Sequence, residues 1–198
     1  MKIDYIHTSE LFGDPLCENK INDTARSLAA IPALSDRVSS VLSIKNEARR
    51  AESLAGLYLL AKNAHIPTES RLICEGKPYF KGANVFFNIS HSAGLAVCAT
   101  DIAPIGVDVE LLRAIPDRER FAKRYFCTEE NKFVIEHTDP DLAFLRIWTR
   151  KEAYLKCLGD GLTRELRSLN TLEDMRFTEL SIEQNSDIYL VAAYRECR

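Results

Sequence analysis

The segment that most constrains the fold covers residues 141–158, which read as one long helix followed directly by Gly159. Glycine in this position favours the left-handed conformation that ends many helices. Within the segment, Trp148, Glu152 and Lys156 recur at every fourth residue and therefore lie along one face. We expect a helix that carries an aromatic, an acidic and a basic side chain on the same side.

This helix face has two interpretations. Glutamate four residues before lysine is the favourable order for a solvated surface pair, which contributes only about 0.3–0.5 kcal/mol. Alternatively, Glu152 and Lys156 belong to a site, with Lys151 flanking it one residue off the stripe. Trp148 is expected to pack in the core in either case. The helix alone does not decide between them.

A second acidic motif lies in the segment Ile105-Gly106-Val107-Asp108-Val109-Glu110. If residues 105–111 form a strand, Asp108 and Glu110 point to the same face while Val107 and Val109 point to the other. Two neighbouring carboxylates are costly to ionise unless a cation joins them, and Mg²⁺ prefers such oxygen ligands. The alternative is an edge strand with a solvated acidic face.

A third motif, Asn88-Ile89-Ser90-His91-Ser92, is predicted to be a tight connection between short buried strands at 85–87 and 95–99. His91 there has two interpretations, a local hydrogen-bonding residue or a donor to a phosphate, as do the flanking hydroxyls. The sequence has no G-x-G-x-x-G and no Walker-type loop. A nucleotide would therefore be held by side chains and strand-end amides.

The remaining patterns indicate a chain of alternating helices and strands, with a first lobe that ends at Ala103-Pro104. We predict a helix over 45–64 that stops at Pro67, a turn at Gly76-Lys77-Pro78, a helix over 116–126, a helix capped by Thr128, and strands over 177–182 and 188–194.

Composition bounds the possible functions. The 198 residues, of which 46% are hydrophobic and 28% charged, suit one full-sized domain or two small lobes. A net charge of −3 argues against a general nucleic-acid binder. The six cysteines form no C-x-x-C pair, and the longest apolar run, 54–61, is too short to span a membrane. We expect reduced thiols, no structural zinc, no signal peptide and a cytoplasmic protein.

Taken in order, the motifs resemble the 4′-phosphopantetheinyl transferase superfamily, specifically its Sfp-like, single-chain type. The likeness rests on Gly76-Lys77-Pro78, 87–92, 106–110, Arg124-Tyr125-Phe126 with Glu130, 148–156, and Gly159-Asp160-Gly161-Leu162. The resemblance implies an α+β fold of two similar lobes related by pseudo-twofold symmetry. Each lobe is expected to be a small antiparallel sheet packed with a long helix. With the break at Ala103-Pro104, the two lobes are expected at 1–103 and 104–198. It also implies a monomer that binds coenzyme A between the lobes.

The reaction that the resemblance implies is the transfer of the 4′-phosphopantetheine arm of coenzyme A to a serine of an apo carrier protein. Adenosine 3′,5′-bisphosphate is the second product. The resemblance also implies that Asp108, Glu110 and Glu152 bind Mg²⁺. Glu152 is also the base for the serine, directly or through a metal-bound water, and Lys156 stabilises charge on the phosphates.

The coenzyme A contacts implied by the resemblance are Lys77, Ser90, His91, Lys151, Lys156 and Arg50. His91 matches the histidine that contacts the 3′-phosphate, and Arg50 is preferred over Lys45 and Arg49 for the same phosphate. A solvated basic helix start is the alternative for these three cations. Glu130 matches an acidic position near the site.

The partner implied is an acyl or peptidyl carrier protein, whose acidic helix could meet the basic stretch of Arg113, Arg118, Arg120, Lys123 and Arg124. An ordinary solvated helix face explains this stretch equally well. Two other functions use the same residues. One is a non-catalytic module that binds coenzyme A and docks partners, and the other is a magnesium-dependent phosphodiesterase or nucleotide hydrolase.

Overall fold

The computed structural model describes residues 1–159 and 166–196. In chain order the elements are β1 (Lys2–His7), α1 (Thr8–Phe12), α2 (Glu18–Ala29), α3 (Ser35–Leu42), α4 (Glu47–Asn63), β2 (Arg71–Ile73), β3 (Tyr79–Lys81), β4 (Phe86–Ser92), β5 (Leu95–Asp101), β6 (Ile105–Leu111), α5 (Arg118–Tyr125), α6 (Thr128–Glu136), α7 (Pro140–Leu158), a short 3₁₀ helix (Leu166–Ser168), β7 (Phe177–Gln184) and β8 (Asp187–Arg195).

The first unit, defined as β1, α4, β4 and β5, has its strands antiparallel in the order β1-β5-β4. Helix α4 is capped by Asn46, whose side chain accepts a hydrogen bond from the Arg49 amide at 2.9 Å. The helix packs closely on β4 at Gly56, where an added Cβ would lie 2.5 Å from Cγ2 of Ile89. Helices α1 to α3 complete the core of this unit.

The second unit, defined as β6, α7, β7 and β8, has its strands antiparallel in the order β6-β8-β7. Helix α7 begins after Asp139, whose carboxylate caps two backbone amides, and ends at Gly159 with φ +80°. It lies directly on β6, since a Cβ on Gly106 would be 2.0 Å from the Ala153 carbonyl oxygen. No larger residue can stand at Gly106 without moving backbone.

The two units share one topology, because each sheet runs first strand, third strand, second strand, with the long helix between the first and second. The predicted α+β class of small antiparallel sheets with packed helices is therefore confirmed. The pseudo-twofold symmetry and the lobe limits of 1–103 and 104–198 stay predictions. The proposed boundary falls in the three residues that connect β5 to β6.

The two sheets meet where β4 faces β6, and side chains make the connection. Alternate residues of β4 reach across: Asn88 accepts a hydrogen bond from the Val107 amide at 2.9 Å, and Ser92 accepts one from the Leu111 amide at 3.3 Å. Because alternate strand residues share a face, this row of polar side chains replaces a continuous backbone ladder between the sheets.

This arrangement corrects one prediction. Residues 88–92 are not a tight connection but most of strand β4, and only Ala93 and Gly94 form the turn. The polar sequence is compatible with a buried strand because β6 satisfies its side chains. The hairpin strands β2 and β3 enclose the predicted turn at Gly76-Lys77-Pro78, and the closing strands lie close to their predicted bounds.

Several helix starts also differ from prediction. Helix α5 begins at Arg118 rather than residue 116, and α7 begins at Pro140 rather than Asp141. Thr128 is the first residue of α6 and not its cap, because the Cys127 amide donates to the Glu130 carboxylate at 2.9 Å. The predicted motif residues 160–162 lie outside the described part of the chain.

Within the described ranges, no helix is long and apolar enough to cross a membrane. The cysteines there are free thiols, at positions 17, 74, 98, 127 and 157.

Candidate active site

Three predicted site residues from different elements converge beside the C-terminal part of α7. The Lys156 ammonium donates to Asp108 Oδ1 at 2.5 Å and to the Ser90 hydroxyl at 2.9 Å, and that hydroxyl donates to Asp108 Oδ1 at 3.0 Å. Asp108 is 5% exposed and Ser90 is 6% exposed. A charged triad is thus held at the junction of β4, β6 and α7.

Glu152 lies one helical turn before Lys156 and completes the acidic side of the cluster. Burial raises the pKa of Glu152, the nearby charges of Asp108 and Glu110 raise it further, and Lys156 opposes the shift. Glu110 has its own cation, because its Oε2 accepts from Arg113 at 2.8 Å. The structure thus brings Glu152, Asp108 and Lys156 together, with Glu110 near the edge.

The donor set suits a hard divalent cation in its chemistry. Asp108 Oδ2 is buried and has no hydrogen-bond partner within the described ranges, which leaves one carboxylate oxygen open. A cation would also relieve the crowding of like charges around Glu152. In the described part of the chain, however, no group of three acidic, histidine or cysteine side chains is arranged to bind a metal ion. Lys156 pairs with Asp108 instead, and Arg113 pairs with Glu110.

A cavity of about 250 Å³ opens next to this cluster. Glu152, Lys156 and Asn88 line it, together with the turn residues 76–78, Leu155 and Gly159. Lys77 lies in its wall, but its ammonium donates to the carbonyls of Ile105 at 2.8 Å and Cys157 at 2.6 Å. Burial lowers the pKa of Lys77. These two hydrogen bonds therefore attach the β2–β3 hairpin to β6 and α7.

A second cavity, of about 170 Å³, adjoins the first, because Pro78 and Asn88 line both. Its polar lining includes His91 and Arg37, with Ser53 and Cys74 nearby in the wall. We call the two cavities together the groove. The groove runs from Lys156 at one end to Arg37 and His91 at the other.

Ser90 and His91, predicted as a phosphate-contacting pair, point in opposite directions because they are consecutive residues of a strand. Ser90 faces Asp108 and Lys156, whereas His91 faces α4, where its Nδ1 lies 3.0 Å from the Glu52 carboxylate. His91 therefore lines the groove, whereas Ser90 contacts the charged cluster next to it.

Lys151 requires a correction, because the structure does not bring it to the groove. Its side chain is fully buried, and its ammonium lies 2.8 Å from the Glu130 carboxylate and donates to the carbonyls of Leu166 and Leu169. Burial lowers the pKa of Lys151, while Glu130 opposes that shift. Glu130 also accepts two hydrogen bonds from Thr171. Lys151 and Glu130 thus connect residues 166–171 to α6 and α7, and no proton of the Lys151 ammonium is left for coenzyme A.

Arg50 is also displaced from its predicted place. It donates to the Ile44 carbonyl at 3.2 Å and does not line the groove. Arg37 of α3 is the arginine in the wall, and no sequence motif indicates it because α3 is not predicted from the sequence. Trp148 packs as expected, stacked on Phe144 and edge-on to Tyr125.

Comparison with known proteins identifies the second half of the chain. Residues 104–195 match the family model described as the 4′-phosphopantetheinyl transferase superfamily. These residues belong to that superfamily. The match includes Asp108, Glu110, Glu152 and Lys156, whereas Lys77, Ser90 and His91 lie outside it. The superfamily predicted from the motifs is confirmed.

Curated relatives agree with this assignment. The 4′-phosphopantetheinyl transferase HetI of Nostoc sp. is 42% identical over 96 residues, which cover 45% of this chain and 40% of HetI. AcpT of Salmonella typhimurium is 37% identical over 56% of this chain and 60% of its own length. Sfp of Bacillus subtilis is 36% identical over 48% of this chain and 43% of Sfp. The matched parts therefore span between two fifths and three fifths of these relatives.

Proposed function

We propose that the protein transfers the 4′-phosphopantetheine arm of coenzyme A to a serine hydroxyl of an apo carrier protein, with release of adenosine 3′,5′-bisphosphate. The observation that carries the proposal is the convergence of Asp108, Glu152 and Lys156 at one end of a groove whose other end holds Arg37 and His91. Each end of the groove thus offers at least one basic side chain, Lys156 at one end and Arg37 and His91 at the other. A ligand with phosphates at two points suits that arrangement.

The groove suggests how coenzyme A lies. The 3′-phosphate is assigned to the end with His91 and Arg37, where an imidazole and a guanidinium supply donors for an anion. The pyrophosphate is assigned to the end with Lys156, whose ammonium already holds an anionic oxygen of Asp108. Asn88 lies between the two ends, since it lines both cavities.

The chemistry requires a base for the carrier serine and positive charge for the pyrophosphate. Glu152 is the proposed base, and its raised pKa increases its affinity for the proton that it removes. Lys156 is proposed to stabilise negative charge on the departing bisphosphate. Asp108, Glu110 and Glu152 are the proposed ligands of Mg²⁺, which when bound supplies charge neutralisation to the phosphates.

The proposed partner is a carrier protein that presents an acidic helix. Helix α5 offers Arg120, Lys123 and Arg124 with an exposed aromatic ring, Phe121, that stacks on Tyr125. Cations around an exposed ring suit an acidic, partly apolar helix. The family resemblance further leads us to propose that the protein is cytoplasmic and monomeric. Light scattering on the purified protein tests the monomeric state.

The test of the function incubates the protein with coenzyme A, Mg²⁺ and a panel of apo carrier proteins, and follows carrier mass by mass spectrometry. The proposal predicts that at least one carrier gains the mass of the arm. Tight binding of coenzyme A with no modified carrier across the panel would favour the binding module instead. Release of the bisphosphate with water as the acceptor, in the absence of any carrier, would favour the hydrolase.

A further inference from the structure

Glu52 of α4 lies beside the groove and uses both of its carboxylate oxygens. Oε2 lies 3.0 Å from Nδ1 of His91, and Oε1 accepts a hydrogen bond from the Gly94 amide at 2.7 Å. The Glu52 side chain is 13% exposed, so water competes little for either oxygen. Glu52 lies outside the sequence segments on which the family resemblance rests.

The carboxylate determines which nitrogen of His91 is available. A carboxylate accepts hydrogen bonds, so Nδ1 of His91 must carry the proton that is shared with Glu52. Nε2 is then the ring nitrogen left for a ligand, and no protein group within the described ranges is paired with it. His91 also lines the same cavity as Arg37.

We propose that Glu52 is the positioning residue of the anion end of the groove, and that it holds His91 so that Nε2 meets the 3′-phosphate of coenzyme A. This inference rests on the proposed function for the identity of the anion. Glu52 acts through His91 and does not itself contact the ligand.

The contact with Gly94 makes this positioning rigid. Ala93 and Gly94 form the turn between β4 and β5 and both have positive φ, +46° and +87°. Glu52 fixes Gly94 from the first unit, and the hydroxyl of Tyr189 donates to the Ala93 carbonyl from the second unit at 2.8 Å. The chain is therefore held two residues after His91 by Tyr189 and three residues after His91 by Glu52.

The hydrogen bonds and charges around Glu52 favour its ionised form. Burial acts to raise the pKa of Glu52, but the hydrogen bonds from His91 and the Gly94 amide outweigh it and lower the pKa. Arg49 on the same helix adds to that lowering, and Arg37 faces His91 from α3 across the cavity. From the second unit, Tyr189 lies near Glu52; burial raises the pKa of Tyr189, and the charges of Asp187 and Glu52 add to that rise.

The test compares coenzyme A with 3′-dephospho-coenzyme A by calorimetry, using the wild type, Glu52→Leu, Glu52→Gln and the control Glu47→Leu. Glu47 is an exposed carboxylate on the same helix. Loss of one charge-assisted contact predicts that Glu52→Leu weakens coenzyme A binding about tenfold or more. Binding of the dephospho compound should stay unchanged. Glu52→Gln, which keeps an acceptor, should lose less, and Glu47→Leu should lose nothing.

Imidazole ¹⁵N spectra give a second readout that needs no ligand. In the wild type, the neutral His91 ring should carry its proton on Nδ1, and Glu52→Leu should shift it towards Nε2. If Glu52→Leu weakens the binding of coenzyme A and of 3′-dephospho-coenzyme A by the same factor, the inference is overturned. If no carrier is ever modified but the selective loss is observed, the positioning role stands and the transferase proposal fails.

Discussion

The first and second units have the same strand order and one long helix each, but their helices approach the sheets differently. In the first unit the glycine lies on the helix, and Gly56 meets the side chain of Ile89. In the second unit the glycine lies on the strand, and Gly106 meets the backbone of α7 at Ala153 and Cys157. Helix α7 therefore lies closer to its sheet.

This difference explains where the charged chemistry lies. Because α7 touches β6 backbone to backbone, Lys156 can reach Asp108 directly, and Glu152 is close enough for Asp108 to shift its pKa. In the first unit a branched side chain separates helix from strand, and the cavity with His91 lies beside them. The same topology thus gives a closely packed ionic cluster in the second unit and a cavity lined by His91 in the first unit.

The largest effect should come from the buried ion pair of the second unit. Lys151→Met leaves the Glu130 carboxylate buried without its cation, which typically costs about 3–5 kcal/mol of unfolding free energy. Urea denaturation measures the loss. Lys132→Met on the exposed face of α6 is the control and should change stability little. A loss below about 1 kcal/mol for Lys151→Met would mean that this pair does not hold the segment after α7.

The glycine comparison gives the next largest effect. Gly106→Ala places a Cβ 2.0 Å from the Ala153 carbonyl oxygen, so backbone must move, and we expect a loss of about 3 kcal/mol or more. Gly56→Ala meets only a side-chain methyl and gains about 1 kcal/mol of helix propensity, so its net loss should be smaller. Thermal unfolding of both variants tests the order. The reverse order would contradict the closer approach of α7.

Lys77 links the β2–β3 hairpin to the second unit, and this link can be broken separately. Lys77→Met removes its bonds to the carbonyls of Ile105 and Cys157, at a typical cost of about 1–3 kcal/mol. Lys81→Met, an exposed change in the same hairpin, is the control. If Lys77 serves only coenzyme A, denaturation of the ligand-free variant will match that of the wild type.

The smallest effect concerns stability and pH. Because the folded-state pKa of Glu152 is raised, its ionised form is less favourable in the folded chain than in the unfolded chain. The cost of ionising Glu152 is absent at pH values below its pKa in the unfolded chain. It is complete at pH values above its pKa in the folded chain. Glu152→Gln should therefore raise Tm at neutral pH without Mg²⁺, by about 2–4 °C for each kcal/mol relieved, and leave it unchanged at low pH. A gain that is equal at both pH values would contradict the shift.

The sequence was informative where local rules and burial agree. Strand β6 follows from the alternation around Asp108, and α7 follows from its periodicity and from Gly159. The family motifs predict that Asp108, Glu152 and Lys156 lie close together. In these segments the same residues specify both the local structure and the site.

The errors arise where tertiary contacts decide the conformation. Asn88 and Ser92 looked like loop residues because their partners are backbone amides of β6, far along the chain. Lys151 looked like a ligand contact because its partner, Glu130, lies on another helix. Glu52 is not predicted from the sequence for the same reason, since its proposed role depends on its contact with His91. A buried polar side chain can be interpreted only when its partner is known.

The most direct measurement is the rate of carrier modification by Glu152→Gln at saturating coenzyme A and Mg²⁺, with Glu183→Gln as the exposed control. Removal of a general base predicts a loss in kcat of about 100-fold to 10,000-fold, while the circular dichroism spectrum remains that of the folded wild type. The control should retain the wild-type rate. A Glu152→Gln protein that modifies the carrier as fast as the wild type would contradict the proposed active site.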